Sequence, residues 1–302
     1  MRTRTGKLGL LILAISSLAV GACDMPQAPP GNCITDTSPG TRTFTQANCG
    51  LDITVAVPAM CPATGCGLVI DAHGFAMSAF IQDRNTNLRR LGNSLGFVVA
   101  QPTARVGGQG LPSFNIAQDA ERLADFALEA IDAFDLDARR IHMTGFSQGA
   151  GMTDTNTCNH PEIFASNAPI AGRGPNCAGG LPIPVLQTNG TRDEFANFAG
   201  ASATRSAIIA AKGMTLAQGQ VVQSFPGITQ TRFAGPGPVY EFIEHNFIGA
   251  SAGAGHCFPG SFETMLGGPP PGVPELRFAC DDPLQLRFSV EVLRFFLANP
   301  KP

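Results

Sequence analysis

Gly145-Phe146-Ser147-Gln148-Gly149 is a G-x-S-x-G pentapeptide, the pattern a nucleophilic serine needs on a sharp turn from a strand into a helix. Side chains at the flanking positions would collide with neighbouring backbone. Glycine removes them, and the turn lifts the Ser147 hydroxyl above the sheet edge. In a chain with 35 glycines the same five residues also describe an ordinary Gly/Ser turn. Context favours the chemical reading, because strand-forming Arg140 to Thr144 precedes the pentapeptide and a helix-compatible stretch follows it.

A serine hydroxyl is a weak nucleophile until a base takes its proton, and the base needs an acid to orient it. Behind such an elbow the acid and then the base follow along the chain. Three histidines lie downstream of Ser147: His160, His245 and His256. His160 comes before the next candidate strand, Asn167 to Ile170, which suits a surface role. His245 falls inside the strand-like run Val239 to Phe247, where a packed or exposed imidazole is the plain explanation. His256 lies between Gly253-Ala254-Gly255 and Cys257-Phe258-Pro259-Gly260, a loop able to aim an imidazole at a neighbouring loop, with Cys257 to anchor it. His256 is the candidate base.

Asp193 is the candidate acid. It stands in the turn Asn189 to Glu194 after the strand Ile183 to Thr188, at the carboxyl end of a strand, where open α/β sheets bind ligands. Glu194 is the alternative, and a salt bridge to Arg192 is the non-catalytic reading. Attack on an ester also creates an oxyanion that needs two preorganised donors. Asp71-Ala72-His73-Gly74-Phe75 ends an early apolar strand, so the expected pair is the backbone N–H of Phe75 and that of Gln148. His73 reads as a loop support rather than a catalyst.

These residues need a scaffold, and the pattern supplies one. Leu51 to Val57 alternates as a half-exposed strand. Gly67 to Ala72 and Phe97 to Ala100 are short apolar runs. Leu88, Leu91 and Leu95 recur at helical spacing until Gly96. Ile116, Ala120, Leu123, Ala127, Ala130 and Ile131 make an apolar stripe that predicts a helix over about 116–134. Ser289 to Ala298 is a closing helix. Strands alternating with helices predict an α/β fold with a mostly parallel sheet covered on both faces.

The N-terminus carries Arg2, Arg4 and Lys7 and then a largely apolar Leu8 to Val20, the layout of a secretory signal over residues 1–22. Val20-Gly21-Ala22-Cys23 resembles a bacterial lipobox, which implies cleavage before Cys23 and lipid attachment to it; ordinary cleavage nearby is the alternative. Residues 23–45, rich in Pro, Gly, Ser and Thr, read as a tether, and 46–302 as one catalytic domain. Loss of residues 1–22 removes three cations and no anions, so the formal charge moves from −3 to −6. That excludes nucleic-acid binding by neutralisation of phosphates. With Cys23 lipidated, eight of the nine Cys remain. No pair has the CxxC spacing of a zinc ribbon. Sequence proximity suggests the disulfides 33–49, 61–66, 158–177 and 257–280, in keeping with an extracytoplasmic, cell-envelope location.

Val69-Ile70-Asp71-Ala72-His73-Gly74, Gly96-Phe97-Val98-Val99-Ala100-Gln101-Pro102, the stretch Asp137 to Gly149 and Gly255-His256-Cys257-Phe258-Pro259-Gly260 occur in one order. Together they resemble the secreted polyhydroxybutyrate depolymerases and the feruloyl and acetylxylan esterases grouped with them. The resemblance implies an α/β-hydrolase fold, a serine esterase mechanism with Ser147 as nucleophile, Asp193 as acid and His256 as base, and no metal or other cofactor. Relatives often carry Trp where this chain has Phe258. The absence of any Trp weighs against a polysaccharide-facing surface that stacks on sugar rings.

The expected activity is hydrolysis of hydroxyalkanoate oligomers or of phenolic and acetyl esters, with the membrane met only through the N-terminal lipid. A serine peptidase of the same fold and a non-catalytic surface binder are the competing readings. Specificity is expected from the loops Ala104 to Leu111 and Gly267 to Glu275.

Overall fold

The computed structural model describes residues 32–302 apart from 176, 178–181, 250–253, 264–277 and 283–285. The expected leader at 1–22, Cys23 and the loop 267–275 lie outside the described residues. The described strands are β1 (Gly40–Phe44), β2 (Asp52–Val57), β3 (Gly67–Ala72), β4 (Phe97–Thr103), β5 (Ile141–Phe146), β6 (Ser166–Ile170), β7 (Val185–Gly190), β8 (Gln220–Phe225), β9 (Ile228–Phe233) and β10 (Tyr240–His245). They form one sheet in the order β1-β2-β4-β3-β5-β6-β7-β10-β9-β8. The run from β4 to β10 is parallel throughout. The outer strands β1, β2, β9 and β8 join antiparallel at the two edges.

Seven helices are described: α1 (Gln46–Cys49), α2 (Ala79–Thr86), α3 (Leu88–Ser94), α4 (Ile116–Ala133), α5 (Gln148–Asn159), α6 (Phe198–Ala211) and α7 (Phe288–Ala298). Period-two alternation sorts the strand residues into two cores. Leu68 and Ile70 of β3 pack in a cluster with Leu123, Phe126 and Ala127 of α4. Val69, between them, packs with Val292, Leu293 and Phe296 of α7 on the opposite face. The whole of β3 and β5 is buried, as expected of central parallel strands covered on both sides. Asn115 caps α4 by accepting from the Gln118 N–H, and Asp119 returns the contact by accepting from the Asn115 N–H at 2.8 Å. Two orphan donors at that helix start are thereby satisfied. None of the described helices is long and apolar enough to cross a membrane.

The boundary expected between tether and domain needs correction. Gly40–Phe44, inside the stretch read as tether, pairs with β2 from Gly40 opposite Val57 to Phe44 opposite Ile53. Cys33 is bonded to Cys49, Ile34 is buried in the α4 core, and its N–H donates to Glu129 at 2.7 Å. The strand is hard to read because it is an edge: apart from Phe44 its residues are at least partly exposed, so Gly, Thr and Arg suffice there. The other three expected disulfides are also present, Cys61–Cys66, Cys158–Cys177 and Cys257–Cys280.

Candidate active site

Because β3, β5, β7 and β10 run in the same direction, the loops that follow them emerge along one edge of the sheet. Those loops carry Phe75, Ser147, Asp193 and His256 respectively, so the topology gathers every candidate site residue at the carboxyl ends of the strands.

Ser147 sits between the last residue of β5 and the first of α5, with φ 54° and ψ −110°. This is a left-handed backbone that a non-glycine residue adopts only when its surroundings impose it. Here the Ser147 N–H donates to the Ile170 carbonyl of β6 at 2.9 Å. The flanking glycines are required by close approach: a Cβ on Gly145 would strike the Gly149 carbonyl, and one on Gly149 would strike the Ala72 carbonyl.

Asp193 and His256 form a buried pair. His256 Nδ1 donates to Asp193 Oδ2 at 2.8 Å, which leaves Nε2 of the neutral ring as a proton acceptor. The second carboxylate oxygen of Asp193 accepts from the N–H groups of Phe195 at 2.9 Å and Ala196 at 2.7 Å, so the acid is locked by its own turn. Glu194 is exposed, and Arg192 is not the partner of Asp193 among the described residues. Gly255, at φ 84°, allows the two loops to meet, since a Cβ there would lie 2.6 Å from the Asp193 nitrogen. The His256 ring rests on Phe146, the neighbour of Ser147, with centroids 4.8 Å apart. Phe195 meets it edge-on at 5.3 Å. The Cys257–Cys280 disulfide ties the next residue down.

This is the α/β-hydrolase fold. In it, Gln148 is the first residue of α5, so its N–H has no intrahelical acceptor. Its side chain fixes the residue by accepting from the Phe114 N–H at 3.0 Å and donating to Ser113 Oγ at 3.0 Å. His73 is wholly buried, and its Nε2 accepts from the Ala104 N–H at 2.9 Å. Its proton is therefore on Nδ1, which donates to the Gly74 carbonyl at 2.6 Å. Burial depresses its pKa to about 4. The Gly74 carbonyl and the Phe75 N–H belong to one planar peptide and point in opposite directions, so the ring that pins the first also aims the second. Gly74 stands close to Ser147, where a Cβ would lie 3.3 Å from that of the serine. Asp71, near the end of β3, accepts from Gln82, Thr86 and Gln101 at 2.6–2.9 Å, and burial raises its carboxyl to about 6.

The other histidines stay outside this group. His160 pairs with Glu121 at 3.0 Å on the surface. His245 is buried at the end of β10 with its pKa depressed to about 4 by burial. Among the described residues, His245 with Cys257 and Cys280 is the one group of potential metal ligands that comes together, and its sulfurs are joined in the disulfide. Phe258, in the position where Trp was expected, is buried and stacks on Phe146 with centroids 4.3 Å apart. That position packs the interior and does not face substrate. Among the described residues, Phe75, Phe80, Phe195 and Phe225 are the exposed aromatics, and of these Phe75 and Phe195 belong to the loops that carry the candidate site.

No protein-family model matches the chain. The bifunctional acetylxylan esterase/xylanase XynS20E of Neocallimastix patriciarum is 28% identical over 155 residues, which are 49% of this chain and 22% of that protein. Poly(3-hydroxyalkanoate) depolymerase C of Paucimonas lemoignei is 32% identical over 131 residues, 40% of this chain and 31% of the relative. The matches thus span about a fifth to a third of the length of these curated relatives. An acetyl xylan esterase from Aspergillus awamori aligns in structure with a TM-score of 0.49 at 15% identity, over 70% of this chain and 91% of the other.

Proposed function

We propose that this chain is a serine carboxylic-ester hydrolase of the cell envelope, working through Ser147, Asp193 and His256. The observation that carries the reading is the buried His256–Asp193 hydrogen bond of 2.8 Å beside a serine on a left-handed elbow. The names of the two sequence relatives, an acetylxylan esterase/xylanase and a poly(3-hydroxyalkanoate) depolymerase, support the same reading. His256 Nε2 takes the proton of Ser147 as Oγ bonds to the ester carbonyl carbon. Asp193 holds the ring and stabilises its charged form. The oxyanion accepts hydrogen bonds from the N–H groups of Phe75 and Gln148. As the intermediate collapses, the carbon–oxygen bond to the alcohol breaks and His256 returns its proton to that alcohol. Water then attacks the acyl-enzyme by the same route and releases the acid.

The substrates are hydroxyalkanoate oligomers, or phenolic and acetyl esters; the exposed rings of Phe75 and Phe195 offer them an apolar mouth. Four disulfides suit an oxidising compartment outside the cytoplasm, and a lipid on Cys23 would hold the enzyme at the membrane.

Ser147→Ala is expected to abolish p-nitrophenyl acetate hydrolysis with an unchanged circular-dichroism spectrum. Wild-type turnover in that variant overturns the assignment. Labelling of Ser147 by a fluorophosphonate separates an enzyme from a binding protein on the same scaffold, because only an activated serine reacts.

A further inference from the structure

A cavity of about 490 Å3 opens at Ser147 and runs along α5. Gly151, Asp154, Thr155 and Cys158 line it, at four, seven, eight and eleven residues beyond the nucleophile, which is one face of a helix. Asp154 is the acid on that face. It is more than nine-tenths buried, with 8% of its surface exposed, and its Oδ1 has no hydrogen-bond partner. The other buried carboxylates near the sheet edge are committed: Asp71 accepts three side-chain hydrogen bonds, and Asp193 accepts from His256 and two backbone N–H groups. A buried polar atom left unpaired costs stability and returns nothing within the chain. An acid so placed on the wall of a cavity that opens at Ser147 marks a position set by what binds there. Burial also holds the Asp154 carboxyl well above the ordinary carboxylate range, favouring the protonated form, which both donates and accepts.

We propose that Asp154 is the specificity-determining residue of this cavity, its carboxyl hydrogen-bonding an oxygen of the substrate that lies roughly 10 Å from the scissile ester, the length of seven residues of α-helix. The inference rests on the esterase reading and deepens it. The favoured substrate is an ester with a hydroxyl at its far end, and a plain alkyl or aryl chain of equal length leaves the acid unpaired as before. Two sources carry that oxygen: the para-hydroxyl of a phenolic acyl group and the terminal hydroxyl of a hydroxyalkanoate dimer.

The test is the ratio of kcat/KM for two matched pairs, in wild type, Asp154→Asn and Asp154→Leu. One pair is methyl p-coumarate against methyl cinnamate. The other is the p-nitrophenyl ester of a 3-hydroxybutyrate dimer against p-nitrophenyl octanoate. Wild type is expected to favour the oxygenated member of one pair on the order of tenfold, the worth of one well-made hydrogen bond to a neutral group, and that pair identifies the source. Asp154→Leu brings the ratio to about one. Asp154→Asn, which keeps shape, donor and acceptor, retains most of it.

Thermal melts guard against a folding artefact, because Leu in an unpartnered buried site raises Tm. Ratios that stay unchanged in Asp154→Leu overturn the inference alone, as does a wild type without preference in either pair. A wild type that hydrolyses no ester, p-nitrophenyl acetate included, overturns the esterase reading and this inference with it.

Discussion

His256 Nδ1 and Asp193 Oδ2 lie 2.8 Å apart, both residues buried, while the other oxygen of the carboxylate is held by the N–H groups of Phe195 and Ala196. The geometry fixes which ring nitrogen carries the proton. In Asp193→Asn the side-chain oxygen still serves the turn, and the amide nitrogen faces Nδ1. The ring must then turn its proton to Nε2, where it cannot accept from Ser147. We expect kcat for p-nitrophenyl acetate to fall about 10³–10⁴-fold with the melting temperature little changed. A loss under tenfold would mean that Asp193 is not the orienting acid.

His73→Phe separates support of the oxyanion site from general packing. The substitution keeps an aromatic ring against Phe114, whose centroid lies 4.6 Å from that of His73. It deletes the hydrogen bond to the Gly74 carbonyl and the acceptor for the Ala104 N–H. With the Gly74–Phe75 peptide free to tilt, one oxyanion donor is lost, which costs about 10²–10³-fold in kcat. KM should change little, since the donor acts on the transition state. Stability falls by about 1–3 kcal/mol for the stranded N–H. A raised KM with kcat intact would mean that His73 shapes the substrate pocket instead.

The four disulfides divide by what they hold. Cys257–Cys280 closes 23 residues next to His256, whereas Cys61–Cys66 closes five, far from the site in sequence. Loop-entropy scaling gives about 3 kcal/mol for the first and about 2 kcal/mol for the second. The paired replacement Cys257→Ser with Cys280→Ser is expected to lower kcat before the protein melts, because the base loses its anchor. Cys61→Ser with Cys66→Ser should cost stability alone. Equal loss of activity from both pairs, measured well below either melting temperature, would contradict the anchoring role.

The parallel centre of the fold is legible because its strands are buried on both faces and read as apolar runs: Gly67–Ala72 has the same limits in sequence and structure, and α4 follows its apolar stripe to within a residue. The antiparallel edges are not. In Gln220–Phe225 five of six residues are exposed, and no apolar face betrays a strand. Ser147, His256 and Asp193, the proposed nucleophile, base and acid, announce themselves through glycine-flanked turns. Asp154 does not, because a single Asp in the helix sequence after Ser147 looks solvated; only its spacing of seven from the nucleophile hints that it shares the serine's side of α5. His245 is ambiguous for a related reason, since alternation along a strand does not say that both faces are covered.

A last prediction concerns His142, buried in β5 between Phe97 and a stacked Phe296, with Nδ1 2.9 Å from Ser166 Oγ and Nε2 unpartnered. Burial, helped by the charges of Arg140 and Lys301, depresses its pKa from 6.5 to about 3. Above pH 6.5 the ring is neutral in folded and unfolded chains alike, and its contribution to stability is complete. Below that pH the unfolded chain binds a proton that the folded chain refuses, so stability drains away as the pH falls toward 3. His142→Phe removes this site but leaves His73, His245 and Asp71, whose titrations therefore cancel between the two proteins. Urea unfolding at pH 7.5 and pH 4.5 should show the variant gaining about 2–3 kcal/mol on wild type across that interval. A stability gap that does not move with pH would mean that His142 meets water or a counter-charge in the folded protein.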